Sequence, residues 1–159
     1  LIGKYLVTSV EEPENLEARG GMLVGSCLAG IAFLKGLGFV HAISHMVGAE
    51  YDTQHGLTNA IVLPVVLRYN LPSLDKKRNR MADALGISDK TSDGFIGEIE
   101  AKLDRLNIPK SLGEIGVPFE CASRISEKAM LDSAASTNPV RGDVASVKAL
   151  VEKSIKKAR

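Results

Sequence analysis

The chain carries three histidines, His41, His45 and His55, and all of them lie in one short window. Imidazole binds divalent metals and exchanges protons near neutral pH, so side chains gathered this way point to a metal site, a proton relay, or both. His41 and His45 are four residues apart. At about 100° per residue they sit roughly 40° apart on one helix face and can meet a shared ion or substrate. On an unbroken helix His55 would lie about 21 Å beyond His41, outside any common coordination sphere. If the three act together, the chain has to turn back between His45 and His55, and Gly48, the polar stretch Tyr51-Asp52-Thr53-Gln54 and Gly56 supply the means. Imidazoles alone fall short of a complete site, which ordinarily takes three or more protein ligands and often a carboxylate. Glu50 and Asp52 are the local acids and read as solvated loop residues.

The elements that must position these histidines are helical. Leu1 to Leu6 reads as a helix already under way. The acids and proline of Glu11-Glu12-Pro13-Glu14 suit a helix N-terminus, and a helix is expected from about residue 13 to 35, ended by Gly36-Leu37-Gly38. Its apolar residues Leu16, Leu23, Cys27, Ile31 and Leu34 recur at threes and fours, with Gly21, Gly25 and Gly30 allowing a backbone to approach. The apolar run from Met22 to Val40 is broken by glycines, Ser26 and Lys35, and reads as a buried helix with close neighbours, not a membrane span. Phe39 to Ala49 forms a second helix, and Gly56 to Tyr69 a third that Pro64 is expected to kink. Beyond Pro72 an amphipathic helix turns Met81, Leu85 and Ile87 inward and is capped by Gly86. Ser92–Leu106, Pro118–Leu131 and Asp143–Lys157 repeat the helical period. No stretch alternates with period two for long enough to predict a sheet, so the fold class is all-α.

Composition narrows the partners. The chain has 159 residues, 45% of them hydrophobic, and its 20 basic and 19 acidic residues nearly cancel. No field of one sign draws it to nucleic acid or to an anionic membrane. Cys27 and Cys121 are too sparse for a secreted disulfide framework and read as reduced thiols, which favours a cytoplasmic protein. No signal peptide is seen at the start.

The window from Gly36 to Asn70 resembles the iron-containing (group III) alcohol dehydrogenases. Their signature, G-x-x-H-x-x-x-H-x-x-G followed by a His-Gly pair and N-x-x-x-L-P, is present as Gly38, His41, His45, Gly48, His55-Gly56, Asn59 and Leu63-Pro64. Ala29-Gly30-Ile31-Ala32-Phe33 and the segment Asp132 to Asn138-Pro139 agree more loosely. Departures include Gln54 where many relatives have proline, Val65 where many have histidine, and a glycine linker before His41 that is one residue shorter than in some members.

That resemblance implies a multi-helix domain of the dehydroquinate-synthase-like type, without the N-terminal nucleotide-binding domain that precedes it in the family. Residues 1–159 would then be the C-terminal helical metal-binding domain of a longer two-domain enzyme. The resemblance pairs His41 with His55 as metal ligands and places His45 beside the nicotinamide and substrate, whereas spacing alone favours His41 with His45. The cofactors implied are Fe²⁺, with Zn²⁺ as the alternative, and NAD or NADP; the substrate is a small alcohol or its aldehyde. The other two family ligands, an Asp and a His upstream, and the glycine-rich nucleotide loop are absent from these residues, so the chain alone is expected to be inactive. Other readings are a glycerol-dehydrogenase-like enzyme and a non-catalytic helical metal-binding or assembly module. An apolar face left without its partner domain also makes self-association, and hence a homo-oligomer, the expectation.

Overall fold

The computed structural model describes residues 1–159 as eight α-helices joined by turns and short 3₁₀ segments, with no strand. They are α1 (Ile2–Glu11), α2 (Leu16–Ala32), α3 (Gly38–Tyr51), α4 (His55–Asn70), α5 (Asp75–Leu85), α6 (Ser92–Arg105), α7 (Ala122–Leu131) and α8 (Val144–Lys156). The fold is all-α, and the expected helices are all present within a few residues at their ends. α4 continues through the buried Pro64 to Asn70.

The helices α3, α4, α7 and α8 pack around the main core. α3 contributes Phe39, Ile43 and Val47 at helical spacing, α4 contributes Ile61, Val62 and Val65, and Ile125, Val147 and Val151 close it from α7 and α8. The buried stripe of α3 leaves His41 and His45 half-buried beside it. A smaller core of Leu71, Ala82, Ile87, Phe95 and Ile96 holds α5 and α6 against the end of α4. Met81 and Leu85 pack on it as expected.

The apolar run beginning at Met22 departs from the expectation of a buried helix. In α2 only Ala18 and Gly25 are buried, and Leu16, Leu23, Leu28 and Ile31, with Leu34 in the 3₁₀ turn that follows, are all more than half exposed. α1 covers just one side, with Tyr5 lying against Gly21 and Ile2 against Gly25, and nothing approaches Gly30. Periodicity shows that a helix face needs cover, but it does not show that the same chain supplies it. By length and composition Leu16–Lys35 is also apolar enough to cross a bilayer.

Both ends of α3 are held from far along the chain. At its N-terminus the Leu37 and Gly38 N–H groups donate to Thr137 Oγ1 (3.1 and 3.3 Å), and Phe39 N–H donates to Asn138 Oδ1 (3.1 Å). These satisfy backbone donors that no helical turn can reach. Gly36 and Gly38 have φ of 97° and 72°, and a Cβ on either would strike Thr137 or Asn138. Here glycine is required both by conformation and by the closeness of the clamp. Asn138 also forms a reciprocal amide pair with Asn70 at the end of α4 (3.1 and 2.8 Å) and donates to Val140 O (2.7 Å). At the other end Glu50 accepts from Arg124 Nε (2.9 Å) and Lys128 Nζ (2.7 Å) of α7. The Arg124 and Lys128 hydrogen bonds hold the Glu50 carboxyl below its ordinary pKa. Glu50 is therefore a helix residue locked to its neighbour, not the solvated loop acid that the sequence suggested.

Replacing Asn138 with Ala strands the Phe39 N–H and the Asn70 amide, both buried, without partners. The expected cost is about 2–4 kcal/mol. For a chain of this size that lowers Tm by roughly 5–15 °C in thermal unfolding. A Tm within about 2 °C of wild type would show that the clamp is dispensable.

Candidate metal centre

The turn between α3 and α4 brings the histidines together. α3 stops at Tyr51 because Asp52 takes the left-handed conformation (φ 51°, ψ 35°) while its N–H closes on Gly48 O. Asp52 thus serves as a helix cap. Gln54 then starts α4, its side chain accepting the Leu57 N–H, and the Thr58 hydroxyl donates to Thr53 Oγ1 at 2.8 Å. Gln54 thus supplies the side-chain cap that starts this helix. His55 opens α4 and falls back beside α3.

All three imidazoles meet. Ring centroids are 5.3 Å apart for His41 and His55, 5.4 Å for His45 and His55, which stack, and 5.8 Å for His41 and His45. Their nitrogens engage different partners. His41 Nε2 and His55 Nε2 both approach Asn59 Nδ2, at 3.3 and 3.0 Å. An amide NH₂ donates, so each Nε2 presents a bare lone pair to one electropositive group. His45 turns away from that point, its Nδ1 lying 2.9 Å from Asp132 Oδ2.

The electrostatics agree with this division. Burial first, then the neighbouring His55 and His45, push the His41 imidazole below its ordinary pKa. That shift favours the neutral form, the one in which an imidazole can bind a metal. For Asp132, burial opposes the charge, but the Ala134 N–H and His45 outweigh it and hold the carboxyl below its usual range. Asp132 Oδ1 accepts that Ala134 N–H at 2.7 Å.

Two buried polar atoms have no partner, His41 Nδ1 and Asn59 Oδ1. Interiors rarely leave such groups unsatisfied, and here both belong to the same cluster. The donor set suits a divalent cation: two imidazole nitrogens converge on one point, in a site whose own groups do not complete each other's hydrogen bonding. No three His, Cys, Asp or Glu side chains form a finished cage.

The three candidates named from sequence are therefore assembled, but two further residues of the cluster had no role assigned. Asn59 stood in the signature without a function, though its position four residues after His55 put it on the same helix face. Asp132 lies 87 residues from His45 and carries no local signal linking the two.

Residues 1–155 match the C-terminal region of the Fe-containing alcohol dehydrogenase family. Among curated relatives, the methanol:N,N-dimethyl-4-nitrosoaniline oxidoreductase of Rhodococcus erythropolis is 36% identical across 96% of this chain and 37% of its own length. The NAD-dependent methanol dehydrogenase of Bacillus methanolicus is 32% identical across 98% of this chain and 42% of its own. Among solved structures, a 1,3-propanediol oxidoreductase superposes with a TM-score of 0.92 at 33% identity, covering 97% of this chain and 42% of that one. The chain spans about two-fifths of the length of these relatives. On the strength of the family match and of a shared fold at this identity, the chain belongs to the Fe-containing alcohol dehydrogenase family.

Proposed function

We propose that this chain is the metal-binding helical half of an enzyme that interconverts an alcohol with an aldehyde or ketone, passing hydride to or from a nicotinamide cofactor. The observation that carries this reading is the convergence of His41 Nε2 and His55 Nε2 on one electropositive group at 3.3 and 3.0 Å. His41 and His55 are the residues that would hold the ion, Fe²⁺ in the first instance and Zn²⁺ as the alternative. When bound, such an ion supplies Lewis acidity that lowers the pKa of the alcohol hydroxyl. His45, half-buried beside the two ligands, lines the cleft, orients the substrate and takes up its proton. Relatives named for methanol and for 1,3-propanediol support a small alcohol as the substrate, and the Bacillus methanolicus relative supports NAD, with NADP the other candidate.

The remaining ligands come, on this reading, from a helix upstream of these residues, and the nucleotide site from an N-terminal nucleotide-binding domain of the parent protein. The parent is a cytoplasmic, self-associating enzyme with no nucleic-acid or membrane partner. The exposed apolar face of α2 is the surface that its other parts or copies would cover. Two imidazoles without a carboxylate bind a divalent ion far more weakly than a full set, so the isolated chain is expected to be inactive.

In the parent, His41→Ala and His55→Ala should each strip the metal and lower alcohol oxidation by about 100-fold or more, whereas His45→Ala should slow turnover with metal content retained. Metal analysis beside steady-state rates reads both effects. Full activity in either ligand variant would sink the assignment. Titration calorimetry of residues 1–159 with Fe²⁺ or Zn²⁺ should show only weak uptake, and tight one-to-one binding would contradict the incomplete site.

A further inference from the structure

Asp132 makes a contact that metal binding does not call for. Its Oδ2 lies 2.9 Å from His45 Nδ1, and its Oδ1 is occupied by the Ala134 N–H at 2.7 Å. The side chain is only 14% exposed, so few solvent molecules compete for it. The carboxylate is acceptor-only, which obliges the facing ring nitrogen to carry a hydrogen. His45 Nε2 makes no hydrogen bond to the protein and is not among the buried, unpartnered atoms, so it opens to solvent at the histidine cluster.

The segment that carries Asp132 is itself fixed. Five and six residues further on, Thr137 and Asn138 cap the N-terminus of the helix bearing His45. One stretch of chain therefore grips α3 at its start and again at the His45 ring. The loop cannot slide without breaking backbone caps, so the carboxylate is presented at a set position.

We propose that Asp132 is a positioning residue for the proton-transfer step, fixing His45 as the Nδ1–H tautomer so that Nε2 is the bare acceptor facing the substrate. The proposal rests on the dehydrogenase reading given above. In alcohol oxidation the substrate O–H bond breaks and its proton forms a bond to His45 Nε2. The C–H electron pair leaves as hydride to the oxidised nicotinamide, and the carbonyl forms. The positive charge that appears on His45 is offset by the Asp132 carboxylate behind it, which takes up no proton.

Asp132→Asn separates this from a merely structural role. The Asn oxygen can still accept the Ala134 N–H, and that leaves its NH₂ facing His45 Nδ1. The ring must then accept there and carry its hydrogen on Nε2. Nitrogen-15 NMR of the neutral imidazoles in residues 1–159 should show His45 protonated at Nδ1 in wild type and at Nε2 in Asp132→Asn, with helical content unchanged. In the parent, kcat for alcohol oxidation should fall about 100-fold or more with KM and metal content little altered, and Asp132→Glu should recover part of it. A wild-type His45 protonated at Nε2 would overturn the proposal. So would an Asp132→Asn parent that keeps kcat within about threefold after its tautomer has switched. A parent that oxidises no alcohol would defeat the dehydrogenase reading instead, and with it the catalytic purpose given to Asp132, while the NMR result would still decide whether Asp132 sets the ring.

Discussion

The site depends on where α3 begins. A helix start leaves backbone N–H groups that need acceptors, and in α3 those acceptors come from Thr137 and Asn138, about a hundred residues further along. Asn138 pairs at the same time with Asn70 at the far end of α4. The two helices that carry the histidines are therefore tied together through one buried amide, and the stretch leading to it carries Asp132. Because buried polar groups are costly to leave unpaired, this clamp favours one mutual placement of α3, α4 and the 132–140 segment over its neighbours.

That placement gives three chemically identical side chains different surroundings, and the proposed division of labour rests on them. His41 and His55 approach each other across the α3–α4 turn and direct their Nε2 atoms at a common point. His45, one turn along α3 from His41, meets the carboxylate of Asp132 instead. The roles proposed for them differ because of what faces each ring. A neutral, partly buried imidazole suits a metal, and a carboxylate-backed imidazole open at its other nitrogen suits a proton.

Much of this was legible in the residues. The histidine window, the need for the chain to double back, and the glycines and polar stretch that permit it are local features, and Asp52 and Gln54 carry out the turn. Spacing alone favoured His41 with His45, since neighbours on one helix face are visible in sequence and partners across a turn are not. The likeness to the family pointed to His41 with His55, and the shared Asn59 contact is in keeping with that pairing. The Asp132 contact was out of reach, because nothing local joins residues 87 positions apart. The α2 face was misread for a related reason: its periodicity announces an apolar stripe, yet in residues 1–159 only α1 lies along it.

On the proposed function His41 and His55, and not His45, share one ion. The most direct measurement is anomalous-difference density from crystals of the metal-loaded parent protein, collected at the absorption edge of the bound metal. A single peak within about 2.0–2.3 Å of both His41 Nε2 and His55 Nε2, with His45 outside the coordination sphere, is the expected result. A peak coordinated by His45, or one that leaves either His41 or His55 unbound, would contradict it.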